Sequence, residues 1–224
     1  MEILFKNKNV VVVYKPPALS SQQDKIGDTD AMTETSSDLR ARGEEPSLWL
    51  VHRLDKVVGG LLVFARNKNS AAKLSELVKG RGIAKEYLAV VDGAFDGSGI
   101  MKDYLFKDIA KNKAFIVDRM RAGVKEAELE YSALERVETE KGTKTLVKVT
   151  LVTGRFHQIR AQFASRKLSL TGDGKYGSKD NLARFPSLFA YHLSFALSGD
   201  SVDVYKYPDR DTYPWSLFSE EHFK

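Results

Sequence analysis

The chain contains no cysteine, so neither disulfides nor thiolate chemistry is open to it. Histidine is scarce: there are four, none at metal-ligand spacing, which argues against a zinc site. Long apolar runs are missing, and the opening MEILFKNKNV has no signal-peptide stretch, so no membrane is expected and a cytoplasmic protein is. A Walker loop, a GxSxG elbow and an HExxH helix are also absent. GxGxxG is spelled once, as GDGKYG at 172–177, but Asp173 would repel a pyrophosphate and no helical pattern follows Gly177. A glycine-rich turn shaping the wall of a site is the expectation there.

The 224 residues suit one generous domain or two small ones, and 42% hydrophobic with 10% aromatic content is enough for a true core. Net charge is +5, unevenly spread. Segment 21–46 carries seven acidic against three basic residues, a net of −4, which leaves the rest of the chain at +9. A basic body with one acidic, polar insertion fits a nucleic-acid partner, although many basic proteins bind none.

The opening reads as strands at Ile3–Phe5 and Val10–Tyr14, the second ended by two prolines. A short helix is expected near Ala31–Arg42 within the acidic segment, and a strand at Leu61–Ala65. NKNSAAKLSELVKG predicts a helix with its cap near Asn69, an apolar side of Ala71, Leu74, Leu77 and Val78, and a stop at Gly80. Strands follow at KEYLAVVDG, Met101–Phe106, Ala114–Val117, AELEYSALERV and KTLVKVTLV. The alternation of Ala127, Leu129, Tyr131 and Ala133 is that of a half-buried antiparallel strand. A helix, RFHQIRAQFASRK, and a last strand, SLFAYHLSFAL, precede a Pro- and Asp-rich tail. Strands outnumber helices without regular alternation, which predicts an α+β fold on a mixed, mainly antiparallel sheet with flanking helices.

One stretch demands chemistry. In VHRLDKVVGGLLVFARN a bare carboxylate, Asp55, stands between His52–Arg53 and an apolar run, a costly position unless it is paired or used. On the later helix, Phe156, Ile159 and Phe163 form a narrow apolar stripe with Arg155 and Arg160 at its edges, while Gln158 and Gln162 point away. Alone, those arginines read as solvated surface groups; Asp55 changes the weighting, because a carboxylate is what a half-buried arginine needs. Tyr87, in AKEYLAVV, reads on strand statistics as a core residue with its hydroxyl at the rim.

Together, HRLDKVVGGLLVFARN, AKEYLAVVDG, TGRFHQIRAQFAS, LTGDGKYG and LFAYHLSFAL resemble the RluA-type pseudouridine synthases in order and spacing, as does the opening ILFKNKNVVVVYKPPAL. The resemblance runs over roughly residues 3–197. It implies a single catalytic domain over 1–224 with a central cleft and no accessory N-terminal RNA-binding domain, which isomerises uridine in a stem-loop of ribosomal or transfer RNA without metal or cofactor. By the same resemblance Asp55 is the essential carboxylate, Tyr87 the active-site tyrosine, and Arg160 the basic partner that holds Asp55 ionised and oriented. Arg53 matches the arginine that fills the space left by the flipped base. His52, Lys85, Arg155 and His157, in the same motifs, are with Arg53 the expected RNA contacts. DNA is not expected, and a monomer is.

The chain departs from the family pattern in two places. Val57-Val58-Gly59 stands where many relatives carry Asp-Thr-Ser, removing hydroxyls behind the catalytic loop, and Gln162 replaces a common histidine. An RNA-binding or RNA-folding protein with weakened catalysis is the alternative on the same scaffold. A retaining glycosidase would need a second carboxylate about 5 Å from the first, and the sequence offers no obvious one.

Overall fold

In the computed structural model, which describes residues 1–23 and 28–224, the four valines Val10–Val13 are all completely buried. A strand covered on both faces has this signature, since successive side chains point to opposite sides. Residues 24–27 of the acidic segment lie outside the described residues.

The described residues form two units, Met1–Lys85 with Ala190–Tyr207, and Glu86–Phe189 with Pro208–Lys224. In chain order the first opens with β1 (Glu2–Lys6), β2 (Val10–Lys15), α1 (Ala31–Ala41), β3 (Trp49–Leu50), β4 (Gly59–Ala65) and α2 (Lys68–Lys79). Next come β5 (Ala84–Asp92), β6 (Ser98–Asp108), β7 (Lys113–Val117), β8 (Val124–Thr139), β9 (Gly142–Leu151) and α3 (Gln158–Ser165). The chain closes with β10 (Leu188–Leu197) and β11 (Asp200–Tyr205).

In the first unit the strand order is β1-β2-β4-β10, with β3 added to β4 and β11 to β10. The ladders β1–β2, β2–β4 and β10–β11 are antiparallel. Val10 and Val12 join Leu61, Val63, Leu193 and Phe195 in a cluster that takes Leu74 from α2. Val11 and Val13 join Leu62 and Phe64 on the other side, where Leu39 of α1 completes the packing. Each such aliphatic side chain contributes roughly 1.5–3 kcal/mol by burial, so helices on both faces make this sheet the rigid part of the unit. Both helices are capped by side chains: Asp30 accepts from the Thr33 amide, and Asn67, two residues before the expected cap, accepts from that of Ser70. Gly80 ends α2 as expected. β11 lies in the tail, where no strand is expected; Val202 and Val204 face inward while Ser201, Asp203 and Tyr205 face out.

In the second unit the order is β5-β9-β8-β6-β7, antiparallel throughout. Helix α3 packs Ala161 against Leu105, Ala114, Ala127 and Tyr176, and Phe163 meets the rings of Phe95 and Tyr131. The expectation that Gln158 and Gln162 point away is corrected: both are buried. Gln158 donates to the Glu128 carbonyl and accepts from Thr153 Oγ1 and the Arg155 amide, while Gln162 donates to Asp103 at 2.7 Å. Strand backbones and loops surround α3, and their polar groups supply partners that make burial of an amide tolerable. Eleven strands, three α-helices and antiparallel ladders among the described residues make the α+β reading correct. No described helix is long and apolar enough to cross a membrane.

Candidate active site

His52, Arg53 and Asp55 sit in the loop from β3 to β4. The loop is fixed from below. Ser21 Oγ accepts from the Leu54 amide and donates to the Leu54 carbonyl, both at 3.0 Å, and the Val58 amide closes a turn on the Asp55 carbonyl at 3.0 Å. Lys15, at the end of β2, is wholly buried and donates to the carbonyls of Pro16, Leu19 and, at 3.4 Å, Lys56. Burial lowers Lys15 to about 8, against the opposing pull of the Asp55 charge. The structure thus adds to the site a buried cation that ties two loops together and attracts Asp55. In the sequence this lysine reads only as the polar end of a strand.

Gly60 shows why the loop must enter β4 through glycine. Its φ is +127°, and a Cβ there would lie 2.3 Å from the Ala190 carbonyl oxygen on β10. Val58, in the departure from the family pattern, is buried. His52 is half-buried and its Nε2 accepts from the Val63 amide at 3.3 Å. Burial, helped by the positive Lys85, drives His52 down to about 3, so its ring is neutral near pH 7 and adds no charge for RNA. Lys85 is half-buried and is itself lowered by burial. Arg53, in contrast, is exposed.

The second unit holds Tyr87, Arg155, His157 and Arg160. Tyr87 is buried on β5 opposite Val149 of β9. Arg160, on α3, is buried and makes a bidentate pair with Asp173: Nε to Oδ2 at 2.6 Å and Nη2 to Oδ1 at 2.8 Å. Its guanidinium also lies over the Tyr176 ring, 5.0 Å from the centroid. Asp173 belongs to the GDGKYG turn, which is held against β5: the Thr171 amide donates to the Val90 carbonyl, and the Asp92 amide to that of Ser169. Gly172, at φ +80°, approaches the Phe185 carbonyl so closely that a Cβ would sit 2.6 Å away. The turn's aspartate thus holds an arginine.

His157 precedes α3 in a left-handed conformation, φ 52°. It is buried, stacked on Phe156 at 3.8 Å, with Nδ1 3.0 Å from the Tyr176 hydroxyl. That hydroxyl accepts from the Ala114 amide at 2.7 Å, which directs its own proton toward His157. Burial first, then the charges of Arg160, Lys175 and Lys107, lower His157 to about 3. Arg155 is half-buried, its Nε given to the Glu126 carbonyl at 2.8 Å. Tyr176 therefore joins Arg160 and His157, a role that its place in a glycine-rich turn does not announce.

The sequence model of the family described as RNA pseudouridylate synthase matches residues 9–165, a span that includes Asp55, Tyr87 and Arg160. Over 214 residues the chain is 34% identical to an RNA pseudouridine synthase of Aquifex aeolicus, covering 87% of this chain and 65% of that one. It is 33% identical over 184 residues to ribosomal large subunit pseudouridine synthase C of Pasteurella multocida, covering 80% and 52%. The chain thus spans from about half to just under two thirds of these relatives' length. Its fold is shared with human RNA pseudouridylate synthase domain containing 1, at a TM-score of 0.75, 22% identity and coverage of 93% and 83%.

Proposed function

The chain belongs to the RNA pseudouridylate synthase family, and from that premise we propose that it isomerises uridine to pseudouridine in ribosomal or transfer RNA, with Asp55 as the essential carboxylate. The observation that carries this reading is the family match across residues 9–165, a span that contains Asp55, Tyr87 and Arg160. Ribosomal RNA is favoured by the relative named for the large subunit.

In the reaction the bond from uracil N1 to ribose C1′ breaks, the base turns, and C5 joins C1′. The proton of C5 is lost and N1 gains one, so the product is an isomer. Asp55 serves as nucleophile or as the base that removes a sugar proton; either role needs a carboxylate held in place. Ser21 and Lys15 provide that hold through the Leu54 and Lys56 backbone. Tyr87 flanks the detached uracil and keeps it from escaping. Arg160 supplies positive charge, itself oriented by Asp173. Extruding the uridine from its stack costs a few kcal/mol, which the exposed Arg53 offsets.

The test is direct: incubate the purified chain with ribosomal and transfer RNA transcripts and map pseudouridine by selective chemical labelling. Site-specific labelling supports the reading. RNA binding without labelling on either transcript would favour the alternative of a binding protein.

A further inference from the structure

The second unit contains a cavity of about 400 Å³ that none of the chemistry above uses. Four lysines line it, Lys141, Lys144, Lys167 and Lys179, against two aspartates, Asp92 and Asp180. It lies apart from Tyr87: Asp92 ends β5 five residues further on, about 16 Å at the rise of an extended strand.

The two carboxylates belong to the wall. Lys144 is almost wholly buried, with Nζ 2.5 Å from Asp92 and 2.8 Å from Asp180. Asp92 also accepts from Thr171 Oγ1 at 2.8 Å and Ser178 Oγ at 2.5 Å. Asp180 accepts from the Tyr213 hydroxyl at 2.5 Å and the Leu182 amide at 2.9 Å. Burial opposes the charges of Lys144 and Asp180, but their mutual hydrogen bonds outweigh it, holding Lys144 above the ordinary lysine range and Asp180 at about 2. Lys144 is thus fully committed.

Lys141, Lys167 and Lys179 are not. Among the described residues none of the three is in an ion pair, and Lys141 Nζ donates only to the neutral amide oxygen of Asn181, at 2.9 Å. Lys167 follows α3 at φ 62°, where helices commonly place glycine, and its amide is tied to the Ala164 carbonyl. The lining therefore carries a net of two positive charges. It includes no aromatic ring to stack on a base and no arginine fork to read a base edge. Ammonium groups around a concavity match a phosphate, which they bind as point charges.

We propose that this cavity seats a backbone phosphate of the substrate RNA, a few nucleotides from the target uridine, and so fixes how the strand is laid along the second unit. The inference rests on RNA being the substrate. Contact of this kind adds affinity and register without sequence preference.

The experiment compares wild type, Lys141→Ala/Lys167→Ala/Lys179→Ala, and a control with three exposed lysines outside the lining replaced, Lys8→Ala/Lys68→Ala/Lys125→Ala. Binding of a labelled ribosomal RNA stem-loop is measured from 50 to 300 mM salt, with turnover at saturating RNA. The cavity variant should bind about tenfold more weakly at low salt and lose about one from the slope of log affinity against log salt, with turnover unchanged and the control near wild type. Equal slopes for the cavity variant and wild type, or an equal loss in the control, overturn the proposal. So does inorganic phosphate that protects the cavity lysines from acylation where the RNA does not. Wild type that makes no pseudouridine, yet binds RNA through these lysines, ends the isomerase reading and leaves the phosphate seat standing. Wild type that binds no RNA ends both.

Discussion

Arg160 and Asp173 share two parallel hydrogen bonds, 2.6 and 2.8 Å long, with both side chains almost wholly buried. Removing one member of such a pair leaves the other charge stranded, at roughly 3–5 kcal/mol. Arg160→Ala should therefore lower stability by about that amount, and Arg160→Ala/Asp173→Asn should recover much of it. Chemical denaturation of the three proteins checks this; a double variant no more stable than Arg160→Ala would show that the pair is not the source of the loss.

Lys15 gives a pH signature. Its folded value of about 8 lies below the ordinary 10.5, so between those pH values the unfolded chain keeps a proton that the folded chain has released. Stability from this group is then fully present above 10.5 and lost as pH falls through 8. Relative to Lys15→Met, wild type should gain about 3 kcal/mol from pH 7.5 to 10.5. Urea titrations of both proteins across that range measure it. Parallel curves would mean that Lys15 does not titrate in the window.

His157 works in the acid range. Lowered to about 3 while accepting from Tyr176, it favours folding above its ordinary 6.5, and this contribution is lost as pH falls toward 3. The stability gap between wild type and His157→Asn should close by about 1.4 kcal/mol per pH unit as pH drops well below 6.5. A gap that stays constant from pH 7 to 4.5 would place the charged imidazole in the folded protein.

Arg53 is exposed and free to enter an RNA stack. If it fills the space left by the flipped uridine, Arg53→Ala should slow a stacked stem-loop about tenfold more than an unpaired strand, about 1.4 kcal/mol. Single-turnover rates on matched RNAs decide. Equal slowing on both would make Arg53 a phosphate contact.

What the sequence reveals follows from where neighbours come from. β2 and β4 are legible because sheet strands buried on both faces must be apolar at every position, as Val10–Val13 and Leu61–Ala65 are. α2 is legible because its apolar side and Gly80 stop are local. β11 is hidden because its outward positions are Ser201, Asp203 and Tyr205, ordinary in a loop. The helix edge announces that Arg160 needs a carboxylate, and Asp55 is the one the motifs nominate. Asp173 supplies one too, delivered by a turn that hydrogen bonds to β5 hold in place, which no local pattern encodes. Gln158 and Gln162 escape for the same reason, their burial resting on backbone carbonyls from distant strands, and Lys15 escapes because the loop that follows β2 folds back over it to offer the Pro16 and Leu19 carbonyls.

The central claim is that Asp55 performs the isomerisation, and Asp55→Asn tests it most directly, because the amide keeps the size of the side chain and removes its capacity as nucleophile or base. Pseudouridine formed in a ribosomal RNA transcript is measured under single-turnover conditions, alongside RNA affinity and melting temperature. The account predicts a folded protein that binds RNA like wild type and forms no detectable pseudouridine. Turnover by Asp55→Asn within about tenfold of wild type, a barrier change of only about 1.4 kcal/mol, would contradict it.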